Sequence, residues 1–303
     1  MKQRKRKIKD QKTWIDYIYD IFNHLGFLIF TLACIYPFYY LFINTISENE
    51  LVQRSIINFF PIGFHLGNYI ALTSVNELGQ SALVTFGRTV IGTSLMVLVS
   101  AFVGYLATKK EMKARKYMYR FLIITMYFNA GIIPWYLNLS MLGLTNNFMG
   151  YILPGLIAPF NIILVKTYIE SIPTELEESA FMDGAGYFRS FRSIIWPLSK
   201  PILATIAIFG AVGHWNSFID SLILMQNAPQ LFTLQHRLYT YLTSVTSLDA
   251  VINSSGGAVV QQALNAKVLK YTISMVTIIP ILLVYPFMQR YFEKGIMLGA
   301  VKG

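Results

Sequence analysis

The chain has 303 residues, of which 54% are hydrophobic and 13% are charged, with a mean hydropathy of +0.49. Soluble domains carry about 25% charged residues, so this composition excludes an ordinary soluble protein and indicates a polytopic membrane protein. The net charge of +10 does not indicate nucleic-acid binding, because the basic residues gather at the ends of hydrophobic runs rather than along a polar surface. We expect a single membrane domain over residues 1–303.

Apolar runs define the predicted membrane spans, since a helix needs roughly 20 apolar residues to cross a bilayer. The predicted spans lie near residues 24–44, 86–108, 121–140, 148–169, 201–225 and 271–291. Polar and helix-breaking residues such as Asn129 and Pro134 interrupt the third run, which makes it the weakest. The sequence therefore predicts an all-α protein with six transmembrane helices.

The distribution of basic residues predicts the orientation, because Lys and Arg concentrate in cytoplasmic segments. With the N-terminus inside, the basic residues that do not fall in inside segments are Arg54, Arg88, Arg237, Lys267 and Lys270. Both termini and the loop at 170–200 are then cytoplasmic. We expect Arg88 to lie at the outer interface, with its charged end extended toward water. In the second long outside segment, residues 226–270, the sequence predicts a short helix at 231–242, a Ser/Gly turn at 253–257 and a helix at 258–270 that continues into the last span.

The loop at 170–200 is rich in acidic residues, and we call it the acidic loop. Thr174 followed by Glu177 forms a Thr-x-x-Glu pattern, which predicts a capping box at the start of a short helix. Gly184 and Gly186 can adopt the left-handed conformation that ends a helix. A second short helix is predicted from Tyr187 to Ile195.

Helices of this length are marginal in water, so the acidic loop needs a surface to pack against. An acid-rich face beside a basic membrane surface can select a basic partner. The alternative is a solvated, capped loop, and the residue pattern alone leaves both open.

Polar and aromatic residues within the spans predict a substrate path, because polar groups in a membrane are costly and commonly functional. Asn216 and Asp220 are four residues apart and are expected to share a helix face. Aromatic rings beside amides and carboxylates suit sugars, although polar residues also hold membrane helices together. The substrate-path candidates are Trp135, Tyr136, Asn161, His214, Trp215, Asn216 and Asp220.

The spacing within the acidic loop carries a resemblance. Glu178-Ser179-Ala180, Gly184, Ile194 and Trp196-Pro197 resemble the EAA signature of ABC importer permeases, Glu-Ala-Ala-x3-Gly-x9-Ile-x-Leu-Pro, with Ser179 and Trp196 in place of Ala and Leu. The likeness extends over nearly the whole chain, excluding about the first 20 residues. Segments 131–137, 142–144, 152–155, 213–218 and 285–303 are similar to carbohydrate importer permeases of the MalG type, and more narrowly to the LplC/YtcP branch, which is associated with complex oligosaccharides including pectin- and alginate-derived ones.

The resemblance implies a type I ABC importer permease fold in the bacterial inner membrane. It implies a second homologous permease that forms a heterodimer with this chain, two ATPase subunits that bind ATP and Mg, and an extracytoplasmic sugar-binding protein that delivers an oligosaccharide. This chain would have no cofactor, metal or catalytic residue of its own. The implied ATPase-coupling residues are Glu177, Glu178, Ala180, Asp183 and Gly184 in the coupling helix, with Gly299 and Lys302 in the C-terminal tail.

Two other functions stay open at this point. One is an ABC importer permease for a non-sugar solute, which the Trp215-Asn216 segment and the C-terminal tail argue against. The other is a membrane-embedded enzyme. The four histidines fall on different segments, and neither His-Glu-x2-His spacing nor paired aspartates accompany them, which argues against catalysis.

Overall fold

The computed structural model describes residues 13–73, 76–243 and 266–300, and in those ranges the regular structure is entirely helical. Short 3₁₀ or π segments lie at Leu153–Gly155, Phe191–Ile195 and Pro229–Leu231. The α-helices of the described residues are α1 (Trp14–Thr45), α2 (Asn49–Gln53), α3 (Gly67–Thr73), α4 (Asn76–Thr108), α5 (Arg115–Tyr127), α6 (Ile132–Met141), α7 (Met149–Ile152), α8 (Pro159–Ile169), α9 (Glu175–Met182), α10 (Tyr187–Ser190), α11 (Trp196–Leu198), α12 (Lys200–Asn216), α13 (Ile219–Leu224), α14 (Leu234–Thr243) and α15 (Ala266–Ala300).

Three of these helices, α1, α4 and α15, are long and apolar enough to cross a membrane by themselves. Two pairs of helical segments are long and apolar enough only when each pair is taken together. They are Met149–Gly155 with Pro159–Ile169, bent by 47° at the break, and Tyr187–Leu198 with Lys200–Asn216, bent by 79°. The described residues thus contain three spans, or up to five if each bent pair is one span. The prediction of exactly six spans is therefore not confirmed.

The third predicted span is broken into α5 and α6. Between them, Gly131 has a φ of +88°, a left-handed conformation that favours glycine, and its N–H donates to the Asn129 side chain at 2.9 Å. The fourth is broken at Pro154 and Pro159, which lack the N–H that a continuous helix uses. Interrupted backbone of this kind is tolerated at membrane depth where it lines a cavity.

Helix α4 occupies the centre of the bundle and packs against both α8 and α12. At its C-terminal end, Tyr105 and Ala101 form a buried core with residues of α8, α12 and the acidic loop, including Phe191 and Ile195. The second half of the acidic loop is therefore part of the membrane domain's core.

The structure confirms two smaller predictions on the remaining segments. The short helix predicted at 231–242 is α14, and residues 266–270 extend the last span into the long helix α15. The predicted Ser/Gly turn at 253–257 and the stretch 258–265 lie outside the described residues.

Candidate functional site

The predicted capping box at the start of α9 is wrong. Thr174 has helical backbone angles, φ −65° and ψ −27°, and its side chain caps no backbone N–H. An N-cap residue needs an extended backbone to aim its hydroxyl at the first turn. The carboxylate of Glu177, which was expected to complete the box, bonds to other groups.

Glu177 instead ties α9 to the C-terminal end of α4. One carboxylate oxygen accepts hydrogen bonds from the hydroxyls of Tyr105 and Ser190, and the other pairs with the Lys109 ammonium group. The Lys109 and Glu177 side chains are each only 13% exposed, and the Lys109 ammonium lies 4.2 Å from the Tyr105 ring centroid. The resemblance implies an ATPase-coupling role for Glu177, and the structure shows its carboxylate bonded to groups of its own chain.

The opposite side of α9 is free for a partner. Glu178 and Asp183 are exposed, and neither has an ion-pair partner among the described residues. Met182 is 88% exposed and Phe188, just beyond the turn, is 67% exposed. Ala180 is partly buried. This side therefore combines acidic groups with apolar side chains, as a docking surface does.

The predicted turn after α9 is confirmed at one of the two glycines. Gly184 has a φ of +81°, and the next N–H, of Ala185, donates to Ala180 at 2.9 Å, which closes the helix. Gly186 has an ordinary φ of −79°. Phe191 and Ile195 are buried beyond this turn, so the second half of the acidic loop packs against the membrane domain, whereas α9 itself has no buried residue.

Of the two C-terminal coupling candidates, one lies within the described residues and the other does not. Gly299 lies in the last turn of α15, and Lys302 lies outside the described residues. Their predicted contact with an ATPase stays a prediction.

A second site is an open cleft of about 360 Å³ between α4, α6, α12 and the broken helices α7 and α13. A neighbouring cleft of about 390 Å³ shares Trp135, Ser217 and Asp220 with it. The first cleft is lined by Arg88, Trp135, Gly150, Tyr151, Pro154, Gly155, Gly210, Gly213, His214, Ser217 and Asp220.

Arg88 lies inside the protein, which corrects the prediction that it reaches water at the outer interface. Its side chain is 1% exposed and forms a two-pronged ion pair with Asp220, at 2.6 and 3.3 Å. The guanidinium carbon also lies 4.5 Å from the centroid of the Tyr151 ring. A buried arginine is stabilised only by such a partner, so the pair holds α4 and α13 together.

The predicted shared face of Asn216 and Asp220 is also wrong, because the helix ends between them. Helix α12 stops at Asn216, Ser217 is extended with a ψ of 134°, and α13 begins at Ile219. Asp220 stabilises this break: one carboxylate oxygen accepts from the Ser217 hydroxyl and from the Ser221 N–H, both at 2.9 Å.

The structure divides the substrate-path candidates into two groups. Trp135, His214 and Asp220 line the cleft. Tyr136, Asn161, Trp215 and Asn216 do not: Trp215 donates to the Thr277 carbonyl of α15 at 3.0 Å, and Asn161 lies 3.1 Å from the Met96 sulfur.

Sequence reasoning missed Arg88, Tyr151 and Ser217 as cleft residues. A signal for Arg88 was present, since a basic residue in one apolar run and an acidic residue in another are expected to pair in a membrane. Nothing in the local sequence marks Tyr151 or Ser217.

A buried polar cluster supports the cleft from the side of α14. The Ser221 hydroxyl lies 2.9 Å from both the Tyr151 hydroxyl and the His236 Nδ1. Burial, and after it the charge of nearby Arg237, lowers the pKa of His236 to about 4. His236 is therefore neutral at physiological pH.

Comparison with known proteins gives the class of the chain. Residues 9–298 match the family described as binding-protein-dependent transport system inner membrane component, and the chain belongs to this family. It is thus a permease component of an ABC transport system and not an enzyme.

The similar proteins match over almost their full length. The chain is 34% identical to protein LplC of Bacillus subtilis over 94% of this chain and 95% of that one. It is 32% identical to the polygalacturonan/rhamnogalacturonan transport system permease protein YtcP of the same organism, over 94% and 99%. A bacterial ABC transporter involved in the import of the acidic polysaccharide alginate has a subunit of similar structure, with a TM-score of 0.83 and 29% identity over 93% of this chain and 99% of that chain. The resemblance seen in the sequence is confirmed.

The Arg88–Asp220 pair gives a stability prediction. Asp220→Asn keeps the hydrogen bonds to Ser217 and Ser221 but leaves the Arg88 charge buried without a counter-ion, so we expect it to destabilise the protein by about 3 kcal/mol or more. The measurement is the thermal unfolding midpoint of the purified protein. Asp183→Asn, at an exposed and unpaired carboxylate, is the matched control. The double variant Arg88→Gln with Asp220→Asn should recover most of the lost stability. Equal unfolding midpoints for Asp220→Asn and Asp183→Asn would contradict the pairing.

His236 gives a pH prediction. Its pKa is lower in the folded state than its ordinary value of 6.5, so the unfolded chain takes up the proton first as the pH falls. Folding stability should therefore decrease from pH 7 to pH 5 by about 2 kcal/mol on account of this one group. The pH dependence of the unfolding midpoint should be flatter in His236→Gln than in the wild type, with His24→Gln as an exposed control. Parallel pH profiles for all three proteins would refute this role.

Proposed function

We propose that this chain passes oligosaccharides across the bacterial inner membrane, using ATP that partner subunits bind with Mg and hydrolyse. An extracytoplasmic sugar-binding protein would deliver the substrate. Support comes from the relatives, one of which is a permease for polygalacturonan and rhamnogalacturonan and another part of an alginate importer. The family itself is one of binding-protein-dependent systems.

The observation that carries this proposal is the two-sided arrangement of α9. One side is fixed to α4 through Glu177, and the other presents exposed Glu178, Met182 and Asp183. In the proposed complex, the exposed side seats in a cleft of an ATPase subunit, where Glu178 pairs with a basic group. Ala180 permits close approach and Gly184 turns the chain back to the membrane domain.

The proposed transporter contains two homologous permeases and two ATPase subunits. ATP binding would draw the ATPases and their docked coupling helices together, and the permeases would rock to open outward. Such a change requires that ATP bind the two conformations with different affinities. Gly299 and Lys302 would give a second contact with the ATPases.

The cleft offers the chemistry that sugars need. Trp135 presents an aromatic surface, while Ser217 and Asp220 carry oxygen atoms at its wall. Arg88 is held by Asp220, so this part of the path carries balanced charge. We propose that the sugar passes along Trp135, His214 and Asp220.

We also propose six spans with both termini in the cytoplasm. The span added to the other five is the third along the chain, the broken pair α5 and α6, whose backbone interruption at Gly131 faces the cleft beside Trp135. This orientation places Lys109–Lys116 and the acidic loop on the cytoplasmic side, in agreement with the preference of basic residues for that side.

The coupling role is tested by substitutions in the assembled, reconstituted transporter. We expect Glu178→Lys to lower the sugar transported per ATP hydrolysed by about tenfold or more, since losing one partner of a close interfacial charge pair costs about 2 kcal/mol or more. Gly184→Val should have a similar effect, because a β-branched residue is strained at a positive φ. Gly186→Val is the matched control, since that glycine has an ordinary φ and open space around it.

Membrane insertion of each variant is checked by its yield in the assembled complex. Wild-type sugar uptake in both Glu178→Lys and Gly184→Val would overturn the coupling role. ATP-driven uptake of an amino acid in place of an oligosaccharide by the wild-type transporter would overturn the substrate class.

A further inference from the structure

A basic pocket of about 670 Å³ lies at the end of the domain that also holds α9. It is formed by the segment that follows α4, the first turn of α5 and the last turn of α8. Its charged and aromatic lining consists of Lys110, Lys113, Arg115, Lys116, Tyr119 and Lys166.

The positive charge of this pocket is only partly neutralised. Glu170 pairs with both Arg115, at 3.3 Å, and Lys166, at 2.7 Å. Lys166 also lies 4.7 Å from the Tyr119 ring centroid, which fixes it at the pocket wall. The three remaining cations have no ion-pair partner within the described part of the chain: Lys110, Lys113 and Lys116.

The position of these charges is unfavourable for the isolated protein. Helix α5 has no acidic residue in its first turn and begins with Arg115 and Lys116. The N-terminal end of a helix carries partial positive charge, so cations there are destabilising and an anion is stabilising. A bound anion would relieve both this repulsion and that among the lysines.

The surface beyond the pocket is apolar. Further along α5, Phe121 is 65% exposed, Ile124 is 63% exposed and Tyr127 is 87% exposed. A ligand with an anionic head and an apolar tail matches a basic pocket followed by an apolar surface, whereas a free phosphate ion would contact only the basic pocket. Basic pockets at the cytoplasmic ends of membrane helices bind anionic headgroups in this way.

We propose that the pocket binds the phosphate headgroup of an anionic phospholipid of the inner leaflet, with its acyl chains along α5. The inference rests on the orientation and the third span proposed above. The bound lipid would stabilise the start of α5 beside α8, next to the end of α4 to which the coupling helix is fixed.

The test is lipid retention by the purified, assembled transporter in native mass spectrometry, with equal amounts of phosphatidylglycerol and phosphatidylcholine. The wild type should retain phosphatidylglycerol preferentially. Lys113→Gln and Lys116→Gln should each reduce that retention about fivefold, the factor that corresponds to about 1 kcal/mol per basic residue near an anionic lipid. Both lysines are exposed and unpaired, so these changes break no contact that folding needs. Lys200→Gln, at an exposed lysine outside the pocket, is the matched control and should leave retention unchanged.

Equal retention of the two lipids by the wild type would overturn the proposal. An equal loss in Lys200→Gln would do the same, because it would indicate general surface charge. Displacement of the lipid by glycerol 3-phosphate would also overturn the lipid assignment, because it would show that the site takes a soluble phosphate. Lipid retention is measured without sugar or ATP. The lipid proposal can therefore be confirmed or overturned whether or not the transporter proves to carry oligosaccharides.

Discussion

The hydrogen-bonded ion pair that holds Glu177 to Tyr105, Lys109 and Ser190 is the interaction on which the rest of the account depends. Helices as short as α9 are unstable alone, so its position is determined by what it is fixed to. A partly buried carboxylate with three donors gives α9 a defined attachment to α4. The exposed side of α9 is then held in a fixed direction for a partner.

Helix α4 connects this attachment to the cleft. It is a single uninterrupted helix, and the 17-residue step from Arg88 to Tyr105, which contacts Glu177, corresponds to about 26 Å of helix length. Near one end it carries the Glu177 contact, and further along it carries the ion pair with Asp220 on α13. We therefore expect a displacement of α9 to move α4 and, through the Asp220 ion pair, the broken helices at the cleft. Rigid elements joined by such contacts transmit a shift without deforming.

The features that the sequence predicted well depend on local patterns. Long apolar runs predicted α1, α4 and α15, and the motif spacing predicted α9 and the turn at Gly184. The errors concern partners on distant elements. Thr174 and Glu177 match a capping-box pattern, but the Glu177 carboxylate is bonded to Tyr105 on α4. Arg88 was expected at the outer interface, but it pairs with Asp220, which lies 132 residues away in sequence. Local propensity cannot specify contacts of this range, and the break between Asn216 and Asp220 is stabilised by those same contacts.

The central claim, that α9 and the end of α4 move as one body, is tested most directly by spin-label distances in the reconstituted transporter. Labels at Ser179 on α9 and at exposed Glu111 just beyond α4 report on the attachment; Cys34, the one native cysteine, is replaced first. The account predicts the same distance distribution within the chain in nucleotide-free and ATP-bound states. The distance from Ser179 to the equivalent coupling-helix position of the second permease should shorten with ATP. A change in the Ser179–Glu111 distance on ATP binding would contradict the claim that α9 and the end of α4 move as one body.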